Sequence, residues 1–291
     1  MHAVLPEMGA TVWNRLLTKD EAREWDMKEP ENLIYEKRDG IAYITINRPH
    51  ALNAIDGPTA DELKSVFIDF RDDPDAHIAI LSGAGDRAFC AGADIKWMAA
   101  GKGKGPSRRF LLGLWEAKVW KPIIAAVRGY CLGGGLEVAL ACDLLVAADD
   151  AQFGFPEIRN LGGTPGAGGP FRAPRQIPLK IAMWMLMSGK PIPAEEAYRI
   201  GMVTAIVPSA DVMDKATEMA QVILENPPLG VQRVKQITMR GLDAPVEYPV
   251  VFWDLYSAVQ ETPELLAERA GAATAFAEKR EPPWRRKKQP E

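Results

Sequence analysis

Cysteine and histidine are both scarce, with three of each in 291 residues. Cys90, Cys131 and Cys142 show no metal-type pairing, and so sparse and odd a set fits a reducing compartment better than a disulfide framework. His2, His50 and His77 are too scattered for a histidine metal site, or for histidine acid–base chemistry as the main engine. His77 reads as a strand-edge residue beside an Asp-rich turn. No apolar run approaches the roughly 18 residues that a membrane helix needs. The first thirty residues lack an apolar segment and carry Glu7, Asp20, Glu21, Glu24, Asp26 and Glu29, unlike a secretory signal or an acid-poor transit peptide. A soluble, cytoplasmic protein is the expectation. Excess positive charge is missing too: the net charge of −4 argues against non-specific binding to nucleic acid or an anionic membrane. There is no P-loop and no Gly-x-Ser-x-Gly, and the run Gly133 to Val138 lacks the third glycine of a dinucleotide fingerprint.

What the chain does have is apolar material, 47% of its residues, ample for a sizeable core. One stretch stands out, Lys121 to Asp143. Ile123 to Val127 is a short uninterrupted apolar run, the pattern of a strand covered on both faces. Gly133, Gly134 and Gly135 then allow a sharp turn and a close approach, and from Leu136 the pattern is helical. A helix entered from such a turn leaves backbone N–H groups free to hold negative charge. Glu137 falls in that first turn, where the helix dipole favours its anionic form.

The rest of the chain arranges itself around this corner. Residues 1–30 read as an extension, with a short helix near Trp13 to Leu17. Leu33 to Lys37 and Ile41 to Ile46 flank Arg38-Asp39-Gly40, a hairpin signal. Asp56 and Pro58 suit a helix start, with Leu63, Val66, Phe67 and Phe70 at helical spacing behind them. His77 to Ser82 reads as a buried strand, followed by a small-residue loop, Gly83 to Ile95, that enters a helix. Gly101 to Gly105 reads as a basic loop, and Phe110, Leu111, Leu114 and Trp115 mark a further helix. Beyond the central stretch come a strand at Leu144 to Ala148, a turn that brings out Glu157, a glycine-rich loop from Leu161 to Gly169, helices at Ile181 to Met187 and Ala194 to Ile200, and a strand at Met202 to Val207. From Asp211 only helices follow, including Phe252 to Val259 and Leu265 to Phe276. The order predicts an α/β fold of repeated strand–strand–helix units in residues 31–208 and a helical region in 209–291. With little sheet left to pack on, that region suits an oligomer interface or its own domain.

Two glycine-rich turns, around Ala93 and Gly134, each lead from a strand into a helix. If their N–H groups converge they form an oxyanion hole, in which one donor is typically worth about 3–4 kcal/mol in the transition state. Glu137 and Glu157 are twenty residues apart, room for one helix, one strand and a return to the same edge. Two carboxylates beside an oxyanion hole suit proton transfer next to a carbonyl, one accepting and one donating. The blander reading makes Glu137 a helix cap and Glu157 a surface residue.

At this point the chain resembles the crotonase (enoyl-CoA hydratase/isomerase) family, from about Asn32 to Arg280. The matching segments are Asn47-Arg48-Pro49 with Leu52-Asn53-Ala54, Ala88 to Ile95, Lys121 to Asp143, Ala151 to Glu157, Pro165 to Gly169, and Phe276 to Arg280. The resemblance implies a crotonase-like spiral of ββα units, followed by a C-terminal helical region that trimerises, commonly as a dimer of trimers. It implies that the Ala93 and Gly134 N–H groups hold the thioester oxygen of an acyl-CoA, and that the Ala91 carbonyl binds the adenine. Phe276 and Lys279 would help hold CoA from a neighbouring subunit. Glu137 and Glu157 fall on the two catalytic glutamates of the hydratases. The implied reaction is hydration of a 2-enoyl-CoA, with no metal or redox cofactor.

Because the whole family shares the oxyanion hole, an isomerase, an acyl-CoA hydrolase and a non-catalytic acyl-CoA-binding scaffold stay open beside the hydratase. Several positions depart from the family pattern. His50 stands where a basic residue is common, Phe155 where a glutamine is common, and Pro170-Phe171 in place of Thr-Gln. Arg159 to Thr164 carries one extra residue. With Trp97 and Trp115, these changes would shape a bulky acyl pocket, or would simply be core.

Overall fold

The computed structural model describes residues 30–101, 119–242, 262–282 and 284. The N-terminal extension, the stretch from Lys102 to Trp115 and the expected helix at Phe252 to Val259 lie outside the described residues.

Strands β1 (Leu33–Arg38) and β2 (Ile41–Ile46) form the expected hairpin. Asp39 and Gly40 both take positive φ, 53° and 77°, as the tight turn between right-twisted strands demands. Helix α1 (Gly57–Asp72) opens on the Asp56 side chain, which accepts from the Thr59 amide at 2.9 Å. Its apolar stripe, Leu63, Val66, Phe67 and Phe70, is buried.

After α1 the chain winds in a spiral. Strand β3 (Ile78–Gly83) is followed by β4 (Ala88–Cys90), β5 (Ile123–Val127) by β6 (Tyr130–Leu132), and β7 (Leu144–Ala148) by β8 (Gln152–Gly154). The first strand of each pair joins a six-stranded sheet, which closes on β10 (Ala205–Val207) in the order β1-β2-β3-β5-β7-β10. The second joins a four-stranded sheet, β4-β6-β8-β9, with β9 at Ile192–Pro193. Strands β5 and β3 are buried along almost their whole length because the large sheet is covered on both faces. The short strands β4, β6 and β8 carry no long apolar run, so the sequence reading took their surroundings as plain turns. Met202 to Val207 contracts to the three residues of β10.

Short helices follow each turn of the spiral: α2 (Ile95–Ala99), α3 (Gly134–Ala139), α4 (Glu157–Leu161), α5 (Gly169–Gln176), α6 (Leu179–Ser188) and α7 (Ala194–Arg199). The C-terminal region provides α8 (Val212–Leu224), α9 (Pro228–Gly241) and α10 (Pro263–Ala277). Here one expectation is corrected. The tail does have sheet to pack on, since α8 lies across β3, β5 and β7 with Ala216 and Ala220 fully buried. Helix α9 is tied to the core by Lys235, whose Nζ reaches Asp143 at 2.7 Å and the Lys121 carbonyl at 2.9 Å. Helix α10 docks on α9, where Glu268 accepts from the Leu229 and Gly230 amides. Among the described residues no helix is long and apolar enough to cross a membrane.

Candidate active site

Three strands of the small sheet run parallel in the order β4, β6, β8, with Cys90 beside Cys131 and Leu132 beside Gly154. Their carboxyl ends therefore open on one edge, the usual place for a site in an open α/β sheet. Ala91 to Ala93 leaves β4 there, Gly133-Gly134 leaves β6, and Pro156-Glu157 leaves β8. The sequence separations of some forty and twenty residues collapse to neighbouring positions because each intervening segment is one turn of the spiral.

The first two turns bring backbone donors together. Ile55 donates to the Gly92 carbonyl at 2.8 Å and Asp94 donates to the Ile55 carbonyl at 2.9 Å. Those two bonds flank Ala93, so its own N–H points away from the bridge. Gly134 is the first residue of α3, where an N–H has no partner within the helix. A Cβ built on Gly92 would lie 3.2 Å from the Gly134 nitrogen, which sets the two turns in contact. Ala93 and Gly134 are both partly exposed. Two N–H groups so arranged can receive an oxyanion.

The Ala93 turn is fixed from behind. Arg48, 8% exposed, pairs with Asp56 at 2.9 Å and Asp94 at 3.0 Å, and Asp94 caps α2 by accepting from the Trp97 amide at 3.0 Å. Burial pushes the Asp94 carboxyl up, but the Trp97 amide and Arg48 outweigh it and hold the group below its ordinary value. Ala91 spends its N–H on the Leu52 carbonyl at 3.0 Å.

Glu137 lies one helical turn after Gly134 and is only 2% exposed. Its Oε1 accepts from the Ala167 and Gly169 amides, each at 2.7 Å. Those donors come from the glycine-rich loop, where a Cβ on Gly169 would sit 3.1 Å from Oε1 and 2.8 Å from Phe155 Cε1. Burial works against the anionic form that the helix start favours: it raises the Glu137 carboxyl, and the Gly169 and Ala167 amides and Arg172 offset this only in part.

Glu157, half-buried at the start of α4, approaches from the other side. A Cβ on Gly133 would lie 2.9 Å from Glu157 Oε1, so the absence of a side chain there, with φ at +54°, is what admits the carboxylate. Glu157 Oε2 is buried with no hydrogen-bond partner among the described residues. Burial pushes Glu157 up to about 7, its own backbone amide resists, and the charge of Glu137 adds to the rise. The site thus pairs a carboxylate held by two amides with one poised to keep its proton near neutrality.

The structure brings Ala93, Gly134, Glu137 and Glu157 to one edge, with Ala91 at the foot of the first turn. Phe276, 89% exposed, and Lys279, at φ +53°, sit instead at the outer end of α10. Phe155 is fully buried beneath Gly169, and Phe171 is 70% exposed. Trp97 lies against Gly57, where a Cβ would be 2.8 Å from its ring. Sequence reasoning missed the Ala167 and Gly169 donors and Arg172. The dense glycines from Gly162 to Gly169 were the available signal.

Solved structures share this two-sheet spiral. That of an enoyl-CoA hydratase from Bacillus anthracis aligns with a TM-score of 0.79 at 31% identity, covering 88% of this chain and 99% of that one. An enoyl-CoA hydratase from Mycobacterium tuberculosis aligns at 0.77 and 37%, covering 87% and 98%. The fold is therefore that of the crotonases. At the sequence level, the model for the enoyl-CoA hydratase/isomerase family matches residues 36–287. Curated relatives include an (E)-benzylidenesuccinyl-CoA hydratase of Thauera aromatica, 38% identical over 253 residues, 84% of this chain and 95% of that protein. A carnitinyl-CoA dehydratase of Escherichia coli O157:H7 is 41% identical over 263 residues, covering 88% and 98%. This chain belongs to the enoyl-CoA hydratase/isomerase family.

Proposed function

We propose that the protein is an enoyl-CoA hydratase, a hydro-lyase that adds water across the 2,3 double bond of an enoyl-CoA to give a 3-hydroxyacyl-CoA. The observation that carries this reading is the unequal pair of carboxylates beside two free backbone N–H groups. The thioester oxygen would accept from the Ala93 and Gly134 amides, which strengthen their hold as enolate charge develops. Glu137, its Oε1 fixed by two amides, would take a proton from the water that attacks C3. Glu157, protonated near neutrality, would deliver a proton to C2. Each transfer is worth on the order of 10²–10⁴ in rate. Hydration starts with the proton on Glu157 and ends with it on Glu137, so both directions run through the singly protonated pair.

Two named relatives, a hydratase and a dehydratase of CoA esters, support addition and loss of water as the chemistry. The substrate is proposed as an acyl-CoA thioester, with CoA being part of the substrate and no further cofactor taking part. Its adenine would meet the Ala91 carbonyl. The exposed Phe276 and Lys279 fit a role in holding CoA bound to a neighbouring subunit, within a trimer or a dimer of trimers. The proposed location is the cytoplasm.

The test is mass spectrometry of products from a mixed acyl-CoA panel. Gain of one water supports the hydratase. An unchanged mass with a shifted double bond points to the isomerase, release of free CoA to the hydrolase, and binding without turnover to the scaffold. With crotonyl-CoA as substrate, Glu137→Gln should abolish hydration, and an unchanged rate would remove Glu137 from the reaction.

A further inference from the structure

Glu137 owes its geometry to a loop, and the loop has its own tether. Arg172 stands one turn into α5 and its Nη1 donates to the Ala167 carbonyl at 2.7 Å. Its amide donates to the Gly168 carbonyl at 2.8 Å. The guanidinium also comes close to Gly168, at φ +108°, with its Nη1 end foremost, where a Cβ would come within 2.1 Å of Nη1. The Ala167–Gly168 peptide unit that Arg172 holds lies between the two whose N–H groups bind Glu137 Oε1, Gly166–Ala167 and Gly168–Gly169. Holding the Ala167 carbonyl toward α5 fixes that middle unit, so that the Ala167 and Gly169 amides on either side of it face α3 together.

We infer that Arg172 is a positioning residue, clamping the Pro165–Gly169 loop so that both its amides stay on Glu137 Oε1 and the catalytic carboxylate keeps one orientation. The clamp rests on the hydratase reading for its effect on turnover, but its effect on Glu137 stands apart from any reaction. The guanidinium also acts through charge. Among the described residues the carboxylate interacts with Glu157 from α4 and Arg172 from α5, and Arg172 in turn faces Cys142 beyond the end of α3. Burial pushes the Cys142 thiol up, so it stays neutral. Glu157 is neutral below about 7, which leaves Arg172 as the standing charge that favours the Glu137 anion. Arg172 feels the converse: burial lowers its pKa and Glu137 raises it. Loss of the clamp therefore removes an attractive charge and loosens two hydrogen bonds, and both changes move the Glu137 titration upward.

The experiment compares the full-length protein with Arg172→Gln and Arg172→Lys. Glu137 is followed by carbon NMR of its labelled carboxyl in the substrate-free protein, and hydration of crotonyl-CoA is followed against pH. In Arg172→Gln the Glu137 titration should move to higher pH. Turnover should fall about 10–100-fold with KM nearly unchanged, the scale of a misplaced catalytic group. The acid limb of the rate profile should rise in step with the titration. Arg172→Lys keeps the charge but loses the planar fork, so it should lie between the two. A Glu137 titration at the wild-type position in whichever variants fold would overturn the clamp. Should the wild type turn over no enoyl-CoA, the hydratase reading fails, while the carboxyl titration still decides whether Arg172 holds Glu137.

Discussion

Glu137 and Glu157 reach the same strand edge from opposite sides, and their surroundings differ in kind. On the α3 side, two amides meet one carboxylate oxygen, and a guanidinium holds the loop that carries them. On the α4 side, Glu157 Oε2 is buried and no hydrogen bond from the described residues meets it. Both groups are raised by burial, so desolvation alone does not separate them. Hydrogen-bond supply does. It lets one carboxylate ionise while the other, facing the first charge, keeps its proton to about 7. The spiral makes this possible because each side is built by a different turn of the chain.

The largest break in that asymmetry should come from Glu157→Gln. The amide fills the same space but cannot pass a proton, so kcat for hydration should fall on the order of 10²–10⁴. Loss of the enoyl-thioester absorbance measures it. In the wild type, both hydration and dehydration should decline above about 7 as the last proton leaves the pair. A rate that stays flat from pH 6 to pH 9 would show that Glu157 is not the donor.

Next in size is Gly133→Ala, which attacks the contact that admits Glu157. A methyl there would be 2.9 Å from Glu157 Oε1 in a backbone held at φ +54°. Strain of that kind costs about 1–3 kcal/mol, visible in thermal unfolding. Displacing the carboxylate should lower kcat by about a further 10–100-fold. A variant that melts lower yet turns over normally would leave Gly133 with a purely conformational role.

The two turns at the strand edge were legible in the sequence, and much of the carboxylates' surroundings was not. Turns at Ala93 and Gly134 announce themselves by small residues between a strand and a helix, and local chain geometry does the rest. The Asp-Gly hairpin and the stripe of α1 are legible for the same reason. Strands β4, β6 and β8 are three residues each, too short for any periodicity, yet their parallel pairing sets the site. The environment of Glu137 comes from Ala167 and Gly169, some thirty residues away, through backbone atoms that carry no residue signature. For that reason the helix start alone does not set the Glu137 carboxyl, since a six-residue helix acts there against near-complete burial. For Phe155 the sequence leaves pocket wall and core both open, and its full burial beneath Gly169 fits the core.

The smallest effect should separate stability from catalysis at the same residue. Glu157 is raised to about 7 in the fold, whereas a free glutamate titrates near 4.3. Between those values the native state binds more protons than the unfolded chain, so this group lowers stability as pH rises through the window. Below it the carboxyl is protonated in both states and contributes nothing; above it the penalty is complete. Glutamine carries no charge and escapes the penalty. Glu157→Gln should therefore match the wild type in thermal unfolding near pH 4.5 and exceed it near pH 8. The gain should be on the order of 1 kcal/mol, because solvent at a half-exposed group screens much of the shift. No reciprocal gain is expected at Glu137, where Ala167 and Gly169 would lose a charged acceptor. If Glu157→Gln were instead less stable at pH 8, the bare oxygen would have a partner in solution, and the contrast between the two carboxylates would lose its physical basis.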